Sequence, residues 1–189
     1  MYNQRLSTSK TNSRKFRLRH WLLLLFVIGA FLLTGRYLWR EKRWRYIVIH
    51  HTASDAGNLE YYKRIHQTER GWPDIAYHFV VNNGASGTVP GQIEVSDLWR
   101  NRSRGLSTKI TYINYLGIAV VMVGNLERHK PSTLQYQALV QLLANLSTDY
   151  KIPVDRMIGH RELQQTACPG KHLDLEKLRQ DVSKKLSEK

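Results

Sequence analysis

Residues 46–51 read Tyr-Ile-Val-Ile-His-His, and this stretch is the first indication of the fold class. Four aromatic or aliphatic residues in a row predict a short buried strand that ends at the two histidines. Three more strands are predicted by similar runs at Ile75–Val81, Gln92–Val95 and Gly117–Val123. Turn-forming pairs such as Asn83-Gly84 separate these runs.

Helical segments alternate with the predicted strands. Leu59–Gln67 favours a short helix, and apolar residues recur at helical spacing through Leu134–Tyr150, where Ser132 and Gln135 resemble a capping box. A last helix is expected to begin at Asp174. This alternation indicates an α/β domain with a single central mixed β-sheet flanked by helices.

The positive charge is concentrated at the N-terminus. The 189 residues carry 29 Lys and Arg against 15 Asp and Glu, a formal net charge of +14. Residues 1–45 hold 11 of those basic residues and a single acid, Glu41. Because the basic residues do not cluster along the folded domain, nucleic acid is not an expected partner. One cysteine excludes an internal disulfide framework, and we expect a monomer.

An uncharged apolar run follows the first basic segment. Trp21–Gly35 contains no charged residue, and its continuation to Trp39 gives 19 residues, about 28 Å of helix, close to the thickness of a hydrocarbon core. We therefore predict a basic cytoplasmic tail at residues 1–20, an N-terminal transmembrane helix at 21–39 and a basic linker at 40–45.

The orientation of this segment follows from its flanks. A short tail with six cations is hard to translocate, so we expect the N-terminus in the cytoplasm and the domain outside the inner membrane, facing the periplasm or the cell wall. A cleaved signal peptide is the alternative, because it also has a basic head and an apolar run. Small residues spaced for cleavage do not follow Leu33, which favours an uncleaved single-pass anchor.

Three polar motifs differ from ordinary packing residues. They are His50-His51-Thr52, Tyr77-His78 and the segment Gly159–Gly170. A hydrolytic zinc site needs three protein ligands and one open position, and imidazole and thiolate are both good zinc donors. His50, His160 and Cys168 would supply such a set.

The same residues leave other interpretations open. His50 is also consistent with a satisfied core histidine, and Cys168 with a small buried apolar residue or a thiol nucleophile paired with a histidine. A nucleobase deaminase would need a second cysteine, which the chain lacks. His51 and His78 point away from their neighbours in a strand and are interpreted as structural. The remaining histidines considered, interpreted as solvated, are His66, His129 and His172.

Four motifs occur in the order found in a known family. They are Ile49–Ala53, Arg70–Phe79, Gly117–Asn125 and Gly159–Gly170. In this order they resemble the zinc-dependent N-acetylmuramoyl-L-alanine amidases of type 2, a family that includes animal peptidoglycan recognition proteins. The similarity implies an amidase domain at residues 46–180, with residues 181–189 as its C-terminal helix end.

The resemblance also implies a role for individual residues. His50, His160 and Cys168 would bind Zn²⁺, Tyr77 would lie beside the nucleophilic water, and Thr166 would contact the developing oxyanion. The implied reaction is hydrolysis of the amide bond between N-acetylmuramic acid and L-alanine in peptidoglycan or muropeptides.

One departure from the family pattern favours a second interpretation. Relatives with another residue at the Cys168 position resemble non-catalytic binders, so the cysteine here indicates an enzyme. Many family members carry a further histidine in a Gly-Ala-His segment, where this chain has Gly105-Leu106-Ser107. The alternative is therefore a membrane-tethered module that binds peptidoglycan without cleaving it.

Overall fold

The strand predicted at Tyr46 lies inside a five-stranded sheet. The strands are β1 (Tyr46–His51), β2 (Phe79–Asn83), β3 (Pro90–Val95), β4 (Gly117–Met122) and β5 (Met157–Gly159). Their order across the sheet is β3-β2-β4-β1-β5. Strands β2, β4, β1 and β5 run parallel, and β3 is antiparallel to β2. The predicted single mixed sheet is confirmed.

The computed structural model describes residues 8–188, with side chains from Leu18 to Glu188. The chain divides into two units, residues 1–42 and 43–189. The first seven residues of the predicted tail and the final Lys189 lie outside the described residues.

The first unit contains the helix α1. Helix α1 spans Thr8–Lys42, so it begins within the predicted tail and continues through the predicted linker as far as Lys42. Its segment Leu18–Lys42 is long and apolar enough to cross a membrane. Large apolar side chains are exposed along it, among them Trp21 and Phe31.

Helices flank the sheet in the second unit, as predicted. They are α2 (Leu59–Arg70), α3 (Asp97–Arg100), α4 (Thr111–Leu116), α5 (Thr133–Tyr150), α6 (His160–Leu163) and α7 (Leu175–Ser187). Side-chain oxygens of Asn58, Ser132 and Asp174 cap the long helices α2, α5 and α7. Each accepts a hydrogen bond from a first-turn backbone N–H that has no partner within its helix.

The two faces of the sheet carry different apolar clusters. One cluster contains Ile49 of β1, Leu139 of α5 and Leu178 of α7. The other contains Val121 of β4 and Tyr62 of α2. Because side chains alternate along a strand, successive residues of β1 face different helices. Burying each large aliphatic side chain contributes roughly 1.5–3 kcal/mol, which fixes the strand register.

Three local differences from the sequence prediction affect the site. The strand predicted from Ile75 begins only at Phe79, because the backbone of Ala76 bonds to other partners: its N–H donates to His66 Nδ1 at 3.1 Å and its carbonyl accepts from Leu106. Strand β5 was not predicted, since three residues are too few to show the alternation of apolar and polar residues that marks a strand. The Gln135 side chain donates to the Val81 and Val123 carbonyls instead of closing the predicted capping box.

Candidate active site

The candidate metal ligands come from three separate segments. His50 is the penultimate residue of β1, and His160 follows β5 directly as the first residue of α6. Cys168 lies in the loop after α6, before a cis bond to Pro169. Strands β1 and β5 are parallel neighbours, with Ile49 beside Gly159. Both histidines therefore lie at the carboxyl ends of these strands.

The three side chains form a compact cluster. One potential ligand atom from each of His50, His160 and Cys168 lies within 4.8 Å of the others. Cys168 Sγ is 3.6 Å from His50 Nδ1, and the two imidazole ring centroids are 4.5 Å apart. Nitrogen and sulfur ligands on one tetrahedral zinc ion stand about 3.6 Å apart, given Zn–N and Zn–S lengths of about 2.05 and 2.3 Å. The spacing therefore suits this metal.

The hydrogen bonding of the cluster also suits a metal. The Nε2 atom of His160 is buried and has no hydrogen-bond partner among the described residues, and the His50 nitrogen beside Cys168 Sγ is Nδ1, so each imidazole offers a nitrogen to an ion. The backbone N–H of His51 donates to Cys168 Sγ at 3.3 Å. Such a contact favours the thiolate, the form of cysteine that binds metals.

The pKa directions weigh against the thiol-nucleophile interpretation. Burial raises the pKa of the Cys168 thiol to about 11, although the His51 N–H and the charge of Arg161 oppose this shift. The pKa of His50 is lowered well below its ordinary value by burial and then by the charges of His160 and His51. A nucleophilic cysteine needs a lowered pKa, whereas a metal ion deprotonates a coordinating thiol outright. Neutral imidazoles are instead the form that coordinates a metal.

Two side chains beside His160 hold the ligand loop in place. Arg161 donates from Nη1 to the Gly170 carbonyl at 2.8 Å, and its backbone N–H donates to the Cys168 carbonyl at 2.7 Å. The Glu162 carboxylate accepts from the Gly159 N–H at 2.6 Å and pairs with Arg179 of α7. His160 and Cys168 are therefore tied to each other and to the helix behind them.

The cluster opens into a cavity of about 330 Å³. Tyr77 is half-buried in its wall, and the centroid of its ring is 5.2 Å from that of His50. Burial raises the pKa of the Tyr77 hydroxyl, so this group stays protonated and able to donate. Thr166 also lines the cavity. Its oxygen accepts from the Cys168 N–H at 3.3 Å, which leaves its own proton available for a ligand.

The predicted structural histidines are bonded to the backbone. His51 Nδ1 accepts from the Leu126 N–H, and His78 Nδ1 accepts from the Ala119 N–H. Both side chains are buried. His129 is half exposed and pairs with Asp55 at 2.9 Å, as expected for a surface residue.

The interpretation of His66 as a solvated residue was wrong. Its side chain is only 7% exposed, and the same cavity is lined by His66 and Trp72. A usable signal was present, because Tyr62 and His66 are four residues apart and therefore share one face of α2. Arg70 and Trp72 lie within the motif Arg70–Phe79, but no role was predicted for either residue.

Peptidoglycan amidases and peptidoglycan recognition proteins are the class that this fold and site define. The family model of N-acetylmuramoyl-L-alanine amidase (Amidase_2) matches residues 40–171. The chain belongs to this family, as the order of its motifs predicted.

Individual relatives agree with this assignment. Peptidoglycan recognition protein 1 of Bos taurus is 30% identical over 145 residues, which cover 68% of this chain and 68% of the bovine protein. The N-acetylmuramoyl-L-alanine amidase LysC from Clostridium intestinale URNW shares the fold, with a TM-score of 0.66 at 23% identity over 76% of this chain and 88% of that chain. Peptidoglycan recognition protein-LE in complex with tracheal cytotoxin, a monomeric diaminopimelic acid-type peptidoglycan, has a TM-score of 0.58 at 25% identity, covering 73% of this chain and 80% of that one.

Proposed function

We propose that this protein is a zinc-dependent N-acetylmuramoyl-L-alanine amidase, tethered to a membrane, that hydrolyses the amide bond between N-acetylmuramic acid and L-alanine in peptidoglycan or muropeptides. The observation that carries the proposal is the convergence of His50, His160 and Cys168 within 4.8 Å, on the wall of a cavity. Membership of the amidase family supports the reaction and the substrate class.

The cavity provides groups for each part of such a reaction. Zn²⁺ held by His50, His160 and Cys168 would act as a Lewis acid that polarises the scissile carbonyl and lowers the pKa of water. Tyr77 donates a hydrogen bond to the oxygen that becomes negative as the amide carbon turns tetrahedral. One such preorganised donor is worth about 3 kcal/mol of the barrier. Thr166 supplies a second, neutral donor, since its hydroxyl proton is free for a ligand.

The N-terminal helix supports a location at the cytoplasmic membrane. We propose that Leu18–Lys42 is an uncleaved single-pass anchor, with the preceding tail in the cytoplasm and the amidase domain facing the periplasm or the cell wall. Peptidoglycan lies on that side of the membrane, so an anchor of this kind would hold the domain near its substrate.

Hydrolysis and metal binding can be tested together. The full chain in mild detergent is incubated with a muropeptide, and free stem peptide is measured by chromatography and mass spectrometry. We expect release that a chelator abolishes and zinc restores. Cys168→Ser and His160→Ala should abolish release and lower the bound zinc per chain, whereas His129→Ala, at a half-exposed surface histidine, should change neither. Full activity of Cys168→Ser would refute the ligand assignment.

A second candidate function rests on one observation. Leu106 and Ser107, which stand where many relatives carry a histidine, line the cavity. The alternative is therefore a tethered module that binds muropeptide without cleaving it. Retention of an intact muropeptide by the zinc-loaded chain, with no free stem peptide released, would favour this alternative.

A further inference from the structure

The surface of the domain around the start of β1 combines aromatic rings with arginines. We call this surface the basal face, and its residues are Tyr46, Arg104, Tyr112, Tyr115 and Arg156. Tyr112 and Tyr115 are 57% and 41% exposed, and both arginines are exposed as well. Exposed tyrosines among cations are the composition found where a protein meets lipid headgroups.

Backbone bonds and ring contacts hold these residues side by side. The Arg45 N–H donates to the Leu116 carbonyl at 2.7 Å, which joins the start of β1 to the end of α4. Tyr112 and Tyr115 are three residues apart in α4 and therefore share one face of this helix. The ring centroids of Tyr46 and Tyr112 are 6.4 Å apart.

Both arginines of the basal face lie over its aromatic rings. The guanidinium carbon of Arg156 is 5.5 Å from the centroid of the Tyr46 ring, and that of Arg104 is 5.0 Å from the centroid of the Tyr115 ring. Neither arginine forms an ion pair with another described residue. Asp155 is exposed next to Arg156 in the chain, so the face keeps a positive excess. A guanidinium stays charged and matches the oxygens of a phosphate.

The length of the chain keeps the basal face close to the proposed anchor. Helix α1 ends at Lys42 and β1 begins at Tyr46, so four residue steps connect them and span at most about 14 Å. The headgroup layer on each side of a bilayer is itself about 5–8 Å thick. If α1 crosses the membrane, the basal face therefore stays within reach of the lipid headgroups.

The cavity lies at the other end of the same strand. His50 is four residues beyond Tyr46, which is about 13 Å along β1. His160 directly follows β5, the parallel neighbour of β1. A membrane contact at the start of β1 would therefore leave the cavity open on the side away from the bilayer.

We propose that the basal face is a lipid-docking surface, on which Arg104 and Arg156 bind the phosphates of anionic phospholipids and Tyr112 and Tyr115 enter the headgroup layer. It goes beyond the proposed function but rests on its anchor, because only an inserted α1 makes docking intramolecular. One cation near an anionic bilayer strengthens binding about fivefold, so the free face binds more weakly than a marginal single acyl chain. The anchor supplies the high local lipid concentration that makes this binding effective.

Hydroxyl-radical footprinting measures docking on the full chain. The chain is inserted into lipid nanodiscs, and mass spectrometry gives the oxidation rate of each tyrosine side chain. In discs that contain phosphatidylglycerol, Tyr112 and Tyr115 should oxidise at least about threefold more slowly than in mild detergent, since a docked ring loses contact with water. Discs of phosphatidylcholine alone should give rates close to those in detergent. At 1 M salt the protection in anionic discs should disappear, because charges are screened beyond about 3 Å.

A second tyrosine–arginine pair provides a matched control outside the basal face. Tyr61 of α2 is 39% exposed, and Arg64 lies over its ring at 5.8 Å. Tyr61 should oxidise at the same rate in all discs and in detergent. The double change of Arg104→Gln and Arg156→Gln should restore fast oxidation of the two basal tyrosines in anionic discs, whereas Arg64→Gln should not.

The possible outcomes separate docking, the anchor and the reaction. If the chain co-elutes with anionic discs but Tyr112 and Tyr115 oxidise as fast as in detergent, docking is overturned and the anchor stands. If the chain does not co-elute with discs, the anchor and docking both fail. Protection that requires two chains per disc, or that persists after both arginines are replaced, identifies a second copy or another contact and overturns lipid docking. None of these results depends on hydrolysis, which is measured separately as stem-peptide release in detergent.

Discussion

Protonation of His78 is expected to destabilise the domain as the pH falls. The His78 ring is buried, its Nδ1 accepts from the Ala119 N–H at 2.8 Å, and its Nε2 donates to the Ser103 carbonyl at 3.1 Å. Its ring packs against Trp44, with centroids 5.1 Å apart. The neutral tautomer satisfies both neighbours, whereas a second proton on Nδ1 would face the Ala119 N–H with no acceptor.

The size of the effect follows from the pKa. Burial lowers the pKa of His78 from 6.5 to about 4; the charges of Arg43 and Arg102 act in the same direction, and the Ser103 carbonyl opposes them. Between these two values the unfolded chain binds the proton and the folded chain does not, so stability is fully present above pH 6.5 and falls as the pH drops towards 4. This difference between the folded and unfolded pKa of His78 contributes about 3 kcal/mol to the free energy of unfolding at neutral pH. Most of that contribution is lost by pH 4.5.

A variant at His78 isolates this contribution from that of other histidines. In His78→Asn the side-chain oxygen can still accept from the Ala119 N–H, but no group titrates. We expect the variant to be about 2 kcal/mol less stable at pH 7.5, because the part-buried Ser103 carbonyl loses its donor. By pH 4.5 this deficit should shrink by about 2–3 kcal/mol.

The measurement is urea unfolding of the full chain in mild detergent, followed by tryptophan fluorescence at several pH values. His66 has a pKa lowered to about 4 as well, and other acid-sensitive groups are common to both chains, so only the difference between the chains is interpreted. Parallel stability curves for wild type and His78→Asn from pH 7.5 to 4.5 would refute the reasoning.

Three other changes test the hydroxyl donor, the cysteine loop and the anchor. Tyr77→Phe should lower kcat about a hundredfold with bound zinc unchanged, as for a lost oxyanion donor; an unchanged kcat would exclude that role. Gly170→Ala should cost more than about 2 kcal/mol in urea unfolding, because φ is +98° and a Cβ would clash with the Leu126 backbone carbonyl, whereas Gly87→Ala, with φ of +77° and open space, should cost about 1 kcal/mol. The full chain should float with lipid vesicles in a density gradient and a chain beginning at Arg43 should not; equal flotation would contradict an anchor within residues 18–42.

The parts of the fold that were predictable are those with a clear local period. Strand β1 followed from consecutive apolar residues, and helix α5 followed from apolar spacing and a capping residue at Ser132. These elements bury a face of their own, so their sequence records the environment. Strand β5 is only three residues long, and its parallel pairing with β1 is a tertiary property that its own residues do not encode.

The candidate site was predictable to a different extent on its two sides. Motif order and donor chemistry predicted His50, His160 and Cys168 as candidate ligands, because few residue types suit zinc, and the structure brings these three side chains together. The wall formed by His66, Trp72 and Arg70 was not predicted. Its members are ordinary residues at a helix end, and only the turn after α2 brings them to the cavity.

The two adjacent histidines of β1 have different roles because of strand alternation. His50 faces the cavity, while the ring of His51 accepts from the Leu126 N–H and its backbone N–H donates to Cys168 Sγ. The Leu126 carbonyl in turn accepts from the His172 N–H, just beyond the cysteine loop. His51 therefore joins the sheet to the loop that carries the thiol. Moving β1 by one residue would exchange the two side chains between the faces of the sheet. His50 would then leave the cavity and His51 would lose its bond to Leu126. The register that buries Ile49 therefore also sets the geometry of the candidate ligands.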